Sequence, residues 1–128
     1  MQDFRQLRVW QAAHRTALIV YTVTRTFPGS ETFGLTSQLR RAAASIGANV
    51  AEGCGRDSDA DTRRFLQIAF GSACETLNHA LLARDLGLLD AESLSRIEAE
   101  LEPTRRMLVR LIQRLATSRR RAPSTPVQ

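Results

Sequence analysis

Few side chains in this sequence have the chemistry of a catalyst or a metal ligand. Glu75 and His79 are four residues apart in a predicted helix, so a carboxylate and an imidazole fall on one helix face. Di-iron helical bundles instead use Glu and His three residues apart, in two copies, together with two further glutamates. Because the single pair here has the wrong spacing, we predict no metal site and no cofactor, and a structural hydrogen-bonding role for Glu75.

The other catalytic candidates do not form a recognisable constellation. His14 lies one turn from Trp10 and from Leu18, so we interpret it as a histidine at the edge of the core. Glu52 is the remaining candidate acid. The sequence has no nucleophile elbow, P-loop or zinc-ligand spacing, and we therefore expect no enzyme activity.

A polar seam follows one side of the helix predicted over residues 35–56. It contains Arg41, Asn49, Glu52 and Arg56, with Glu52 and Arg56 in the favourable acid-first order at four residues' spacing. One interpretation is a small recognition or catalytic cluster. We favour a structural polar cluster that includes Glu75 and fixes the turn between the second and third helices, since buried charges are usually paired.

The same segment has two apolar faces, which is unusual for a helix in a small monomer. One face has the spacing of a core stripe and consists of Leu35, Leu39, Ala42, Ala43, Ile46 and Val50. The opposite face has only small residues, which allow another backbone to approach closely. We predict that this second face is an oligomer interface, formed by Ala44, Gly47, Ala48 and Ala51.

The first helix is predicted over about residues 3–26. Its core-facing arc is predicted to contain Phe4, Leu7, Trp10, His14, Ala17, Leu18 and Tyr21. A weaker apolar arc faces away and is assigned to a subunit contact; it contains Val9, Ala13, Val20 and Val23.

Residues that terminate or cap helices separate four predicted helices. Pro28 and Gly29 end the first, Gly53–Gly55 ends the second, Ser58 caps the third, and Gly87 closes the third near Leu86. Asp90 can cap the fourth, whose apolar stripe passes Pro103 in phase, so we expect a kink there and not a break. The predicted domains are a four-helix bundle over residues 1–118 and a disordered basic tail over residues 119–128.

The charge is basic and unevenly distributed. The 128 residues include 18 Lys+Arg, all of them arginine, and 13 acids, for a net charge of +5. The fourth helix is acidic early and basic late, which complements its dipole. We predict phosphate contacts to RNA or DNA, without base-specific readout, from Arg106, Arg110, Arg114, Arg119, Arg120 and Arg121. A merely solvated arginine face is the alternative, which the sequence leaves open.

The cysteines and the hydropathy indicate a cytoplasmic protein. Cys54 and Cys74 form neither a disulfide framework nor a metal-ligand pair, which favours a reducing compartment. No apolar run reaches the length of a membrane span, and the N-terminus lacks a secretory h-region.

Two longer runs resemble a known family. FP..E.FGL..QLRRAAASI.ANVAEG.GR, from Phe27 to Arg56, and FLQIAFGSACE, from Phe65 to Glu75, are similar to the 23S rRNA intervening-sequence proteins, bacterial four-helix bundles. The resemblance covers about residues 4–116. It implies an antiparallel bundle, a ring of five subunits and no established catalytic activity. Gly47 and the arginines after Ser118 depart from the family pattern.

A more distant resemblance is to the accessory protein of diversity-generating retroelements, which implies a reverse transcriptase or another nucleic-acid enzyme as partner. Together these observations predict an all-α protein, an antiparallel up-down-up-down four-helix bundle that assembles into a ring-like homo-oligomer. Its predicted function is non-enzymatic binding of nucleic acid, largely non-specific, and scaffolding of a nucleic-acid-processing partner. The alternative is a structural or protein-interaction module with no nucleic-acid role.

Overall fold

The protein is described by a computed structural model that covers residues 3–121, with side chains described for residues 3–117. Within residues 3–121 the fold is all-α and contains no strand. Short 3-10 turns at Phe4–Gln6, Thr24–Thr26 and Gly29–Glu31 precede or join the longer helices. Those four helices are α1 (Arg8–Val23), α2 (Leu35–Cys54), α3 (Asp59–Asp85) and α4 (Ala91–Arg121).

The four helices enclose one aliphatic core. α2 packs against α1 and α3, and α4 packs against α3 and α1, so each helix has two neighbours. The predicted core stripe of α2 is confirmed, because all six of its members are buried. The largest side chains with essentially no exposure to solvent are Leu39, Ile46, Ile97, Leu101 and Leu108.

Threonines fill core positions that the apolar pattern did not predict. Thr16, Thr76 and Thr104 are completely buried, one each on α1, α3 and α4. Their hydroxyls donate to the backbone carbonyl oxygens four residues earlier, at 2.6–2.9 Å. A buried hydroxyl bonded in this way avoids the cost of an unsatisfied polar group, so threonine can occupy the interior of a helix.

The predicted caps of the last two helices are confirmed. The Ser58 hydroxyl accepts a hydrogen bond from the Asp61 backbone N–H (3.1 Å), and an Asp90 carboxylate oxygen accepts one from the Ser93 N–H (2.7 Å). Gly87 follows α3 with a φ of 78°, a left-handed conformation that glycine adopts without strain.

The predicted orientation of α1 is wrong. The arc assigned to a subunit contact, Val9, Ala13, Val20 and Val23, is buried in the core. The arc assigned to the core is the outer one: His14, Leu18 and Tyr21 are exposed. Both arcs are apolar, and the inner one has the smaller side chains, which allow α2 and α4 to approach the α1 backbone.

The helix extends past the predicted domain boundary at residue 118, and the division into a bundle and a tail stays a prediction. α4 continues without interruption through Pro103 and ends at Arg121. Residues 118–121 contain no proline or glycine, and the first helix-stopping residue in the sequence is Pro123. The kink at Pro103 stays a prediction, and residues 122–128 of the predicted tail lie outside the described chain.

Candidate nucleic-acid and subunit interfaces

The second half of α4 carries an unneutralised row of arginines. Arg106, Arg110 and Arg114 follow one another at four-residue spacing on the helix, and all three are exposed. Among residues 3–117 none of them forms an ion pair. We call these three residues the basic face. Arg119, Arg120 and Arg121, also predicted to bind nucleic acid, are helical in backbone, and their side chains lie outside the description.

The neighbouring Arg105, in contrast to the basic face, pairs with an acid of the same helix. Its guanidinium lies 3.7 Å from a Glu102 carboxylate oxygen and 5.8 Å from the centre of the Phe70 ring. On the other side of α4, Glu100 binds Arg15 of α1 at 3.0 Å. These two acids of α4 thus pair with Arg105 and Arg15. Glu102 also lines a cavity with Arg106 and Arg110, without an ion pair to either.

A groove between the start of α1 and the second half of α4 borders the basic face. It has a volume of about 250 Å³ and an apolar floor that includes Met107 and Leu111. Arg8, Arg110 and Arg114 surround this floor, and no acidic side chain lines the groove. An anion in this groove would meet three cations and no carboxylate.

The predicted oligomer interface lies in a second open groove, between α1 and α2. Ala44 and Ala48 are exposed, whereas Gly47 and Ala51 are half-buried, with Trp10 of α1 next to Gly47. This α1–α2 groove has a volume of about 370 Å³ and is otherwise lined by Phe4, Trp10, Ala13, His14, Ala17 and Ala43.

Aromatic rings form the α1 wall of the α1–α2 groove. Trp10 stacks on His14 with ring centres 4.7 Å apart and meets Phe4 edge-on at 5.2 Å. A Cβ atom at Gly47 would lie 3.4 Å from the Trp10 indole nitrogen, so the small residue lets the indole approach α2 closely. His14 is therefore an exposed groove residue and not the predicted core-edge histidine, because its arc of α1 faces outward.

The predicted polar cluster divides into two separate groups. Arg56 pairs with Glu52 (3.5 Å) and with Asp61 (3.7 Å), and its guanidinium lies 4.6 Å from the centre of the Phe65 ring. This group links α2 to α3, as predicted, although Glu52 is 58% exposed and not buried. The Thr62 hydroxyl adds a buried hydrogen bond to the Gly53 carbonyl oxygen at 2.9 Å.

The second polar group lies farther along the α2–α3 contact. The Asn49 amide donates to the Ser45 carbonyl (2.8 Å), and the Ser45 and Ser72 hydroxyls are 2.9 Å apart. Arg41 and Glu75 are exposed at the edge of a polar cavity of about 430 Å³ beside them. Since residues 41 and 56 are separated by roughly 22 Å of helix, one cluster cannot contain both.

The remaining titratable groups include one acid–histidine pair and two cysteines. The Glu75 carboxylate lies 3.4 Å from His79 Nε2. Among the described residues, no group of three or more His, Cys, Asp or Glu side chains converges on one point. Cys54 and Cys74 are free thiols, and burial raises the pKa of Cys54.

Sequence reasoning missed the exposure of Phe33 and the role of Glu31. Phe33, in the loop between α1 and α2, is 97% exposed. A Glu31 carboxylate oxygen accepts a hydrogen bond from the Leu35 backbone N–H at 3.0 Å and so caps α2. An acidic residue shortly before the helix start was the sequence signal for this cap. The apolar pattern contained no signal that Phe33 would be exposed.

The model of the 23S rRNA-intervening sequence protein family matches residues 5–110. This chain is a member of that family. The solved structures similar to this intervening-sequence protein include a Bacteroides thetaiotaomicron protein of unknown function from the S23 ribosomal protein family. The two share 25% sequence identity with a TM-score of 0.74, over 82% of this chain and 98% of that one. No curated protein matches this chain.

None of the helices within the described residues is long and apolar enough to span a membrane.

Proposed function

We propose that this intervening-sequence protein is a non-enzymatic homo-oligomer that binds nucleic acid through the basic face. The observation that carries the proposal is the exposure of Arg106, Arg110 and Arg114 without an acidic partner among the described residues. Arginine binds phosphate through two parallel hydrogen bonds, and a row of arginines follows a phosphate backbone.

The spacing of the basic face strengthens the argument. Like charges four residues apart on a helix repel one another and cost about 0.2–0.5 kcal/mol for each pair. Arg106, Arg110 and Arg114 include two such pairs, whereas Arg105 beside them is neutralised by Glu102. An external polyanion would remove this repulsion and release its own counterions, both of which favour binding.

The proposed binding is largely independent of base sequence. The described helices contain no module that places side chains against base edges, and the basic face presents only charged groups. Such a protein contributes affinity and leaves specificity to a partner. The proposal therefore includes a scaffolding role for a nucleic-acid-processing enzyme, for which the resemblance to retroelement accessory proteins favours a reverse transcriptase.

The test is a salt titration of binding to labelled single-stranded RNA and duplex DNA. The variant replaces Arg106, Arg110 and Arg114 with Gln. If each arginine contacts one phosphate, the slope of log affinity against log salt falls by about 3 for duplex DNA for each subunit engaged.

The matched control replaces three other exposed arginines that form no ion pair among the described residues, Arg25, Arg41 and Arg96, with Gln, so that the net charge is the same. Equal slopes in the two triple variants would show that overall charge, and not the basic face, attracts the nucleic acid.

The oligomeric part of the proposal rests on the α1–α2 groove. Ala44, Ala48 and the outer arc of α1 form a continuous apolar surface that the single chain leaves open. We propose that copies of an up-down-up-down bundle pack there; the ring of five follows from the family resemblance. Ala48→Leu should lower the native mass by filling the groove, and a monomeric wild-type protein would refute this part.

A second candidate function is a protein-interaction module without a nucleic-acid role. The same open groove favours it, since an apolar surface of this kind also suits a protein partner. Recovery of a stoichiometric partner after nuclease treatment, together with no nucleic-acid binding at low salt, would support the second candidate over the first. Both candidates place the protein in the cytoplasm, which the free thiols Cys54 and Cys74 favour.

A further inference from the structure

Phe33 is presented to solvent by a loop whose backbone is hydrogen-bonded on both sides of it. The Glu31 side chain accepts the Leu35 N–H (3.0 Å), and the Glu31 carbonyl accepts the Gly34 N–H (3.0 Å). A Cβ atom at position 34 would lie 2.8 Å from the Glu31 carboxylate, so glycine there lets the flexible Glu31 side chain keep its capping position without a shift. The loop ends are anchored by buried Phe27 and Leu35. Because the backbone on both sides of Phe33 is hydrogen-bonded, the loop loses little backbone freedom when Phe33 binds a partner.

The exposure of Phe33 is extreme for this chain. Its side chain is 97% exposed, and the next most exposed large apolar side chain among the described residues is Leu86, at 60%. The other four phenylalanines, Phe4, Phe27, Phe65 and Phe70, are buried or half-buried. The loop therefore presents to solvent a ring of the kind that the rest of the fold covers.

The α1–α2 groove has the chemistry to receive a phenyl ring. Ala44 and Ala48 give it a floor without long side chains, so a flat ring can lie against the α2 backbone. Trp10 and His14 supply aromatic surfaces at its wall, and aromatic pairs prefer such edge or offset contacts. His14 is the only titratable side chain that lines the groove within the described residues.

Phe33 does not occupy this groove in its own chain, and the helix length explains why. The α2 wall of the groove extends from Ala43 to Ala51, which lies roughly 12–24 Å along the helix from Leu35. Phe33, two residues before Leu35, cannot cover that distance. A second copy of the chain, shifted along the axis of α2, can bring its own Phe33 to the groove.

The geometry points to a head-to-tail contact in which Phe33 of one copy inserts into the α1–α2 groove of the next. This inference rests on the proposed homo-oligomer and names the residue that joins its subunits. The projecting ring and the groove are different surfaces of the same chain, so every copy offers one of each. A contact of this type is heterologous and forms a ring when the rotation between copies closes.

The first experiment compares Phe33→Asp and Phe33→Ala with Leu86→Ala by analytical ultracentrifugation over a range of protein concentrations. Phe33 is almost fully exposed, so its loss should leave the helical circular dichroism unchanged. We expect the subunit association constant to fall roughly 10- to 100-fold for Phe33→Ala, the effect of losing one buried aromatic side chain, and further for Phe33→Asp. Leu86→Ala, which removes an exposed side chain outside the groove, should match wild type.

The second experiment mixes two variants, each of which has lost one half of the contact. Phe33→Asp retains an open groove, and Ala48→Leu retains Phe33 while filling the groove. Each variant alone should be monomeric, and an equimolar mixture should form a dimer, since a single functional contact remains. A mixture that stays monomeric would overturn the inference.

The inference and the proposed homo-oligomer fail in different ways. An oligomeric wild type whose association is unchanged by Phe33→Asp would leave the oligomer standing and remove Phe33 from its interface. A wild type that is monomeric at every concentration would remove both.

Discussion

Two glycines inside helices, Gly53 and Gly71, are predicted to respond in opposite ways to the same substitution. Gly53 is buried where α2 meets α3, and a Cβ atom there would lie 3.2 Å from Phe65 Cβ and 3.3 Å from the Thr62 carbonyl oxygen. Neither contact involves the end of a flexible side chain, so the two helices must move apart to admit a methyl group. Gly71 is exposed on α3, and a Cβ atom there meets nothing within 4 Å.

The magnitudes follow from two competing effects. Alanine in place of a helical glycine stabilises by about 0.5–1 kcal/mol, because it restricts the unfolded chain. Overpacking a tight contact costs about 1–3 kcal/mol. Gly71→Ala should therefore raise the free energy of unfolding by about 0.5–1 kcal/mol, whereas Gly53→Ala should lower it by about 0.5–2 kcal/mol.

The assay is urea unfolding of wild type and both variants, followed by circular dichroism. All three proteins must be compared at the same concentration, and at a second one, because association contributes to the stability of an oligomer. The free energy of unfolding of each variant is compared with that of wild type. Stabilisation by Gly53→Ala would show that the α2–α3 contact at Thr62 and Phe65 yields easily, and destabilisation by Gly71→Ala would show that α3 is covered there.

Two further predictions concern α4. The hydrogen bond from the Ser93 N–H lowers the pKa of the Asp90 carboxyl. The Asp90 carboxylate therefore stabilises the fold fully above the ordinary carboxyl pKa, and this stabilisation is lost as the pH falls through the lowered pKa. Asp90→Asn retains a neutral cap and should lose less stability than wild type between pH 5 and pH 2.5 in thermal unfolding; parallel losses would contradict this. Pro103→Ala restores a backbone donor inside the helix and should raise the free energy of unfolding by about 1–2 kcal/mol. The measurement is thermal unfolding. A lower melting temperature for the variant would show that packing of the proline ring stabilises α4 more than the added hydrogen bond does.

The fold class and the starts of α3 and α4 could be predicted from the sequence because local chemistry determines them, whereas α1 begins at Arg8 and not at about residue 3. Ser58 and Asp90 have the side chains that satisfy the first N–H groups of a helix, and both cap the helices predicted to follow them. The core stripe of α2 could be predicted because its opposite face has only small residues, so the two faces differ in size. The orientation of α1 was not predicted correctly, because it depends on packing against helices that are distant in the sequence.

The basic face could be located from sequence, although its pairing could not. Arg105 and Arg106 are adjacent and identical in type, yet Arg105 contacts Glu102 and Phe70 whereas Arg106 contacts no acid among the described residues. Which of the two is neutralised depends on how α4 is rotated against α3. That rotation is set by the packing of the whole core, which no window of sequence contains.

The error in α1 has a physical cause that bears on the function. Its two arcs are both apolar, so periodicity alone cannot tell which faces the core, and the larger aromatic arc was the natural choice. The structure buries the smaller arc, Val9 to Val23, and leaves Leu18 and Tyr21 exposed, with Trp10 half-buried. A helix selected only for a monomeric bundle would have polar residues on that outer arc, as the exposed side of α4 does. The homo-oligomer proposed above would bury this aromatic outer arc of α1 against another copy of the chain, and the arc is one of the observations on which that proposal rests.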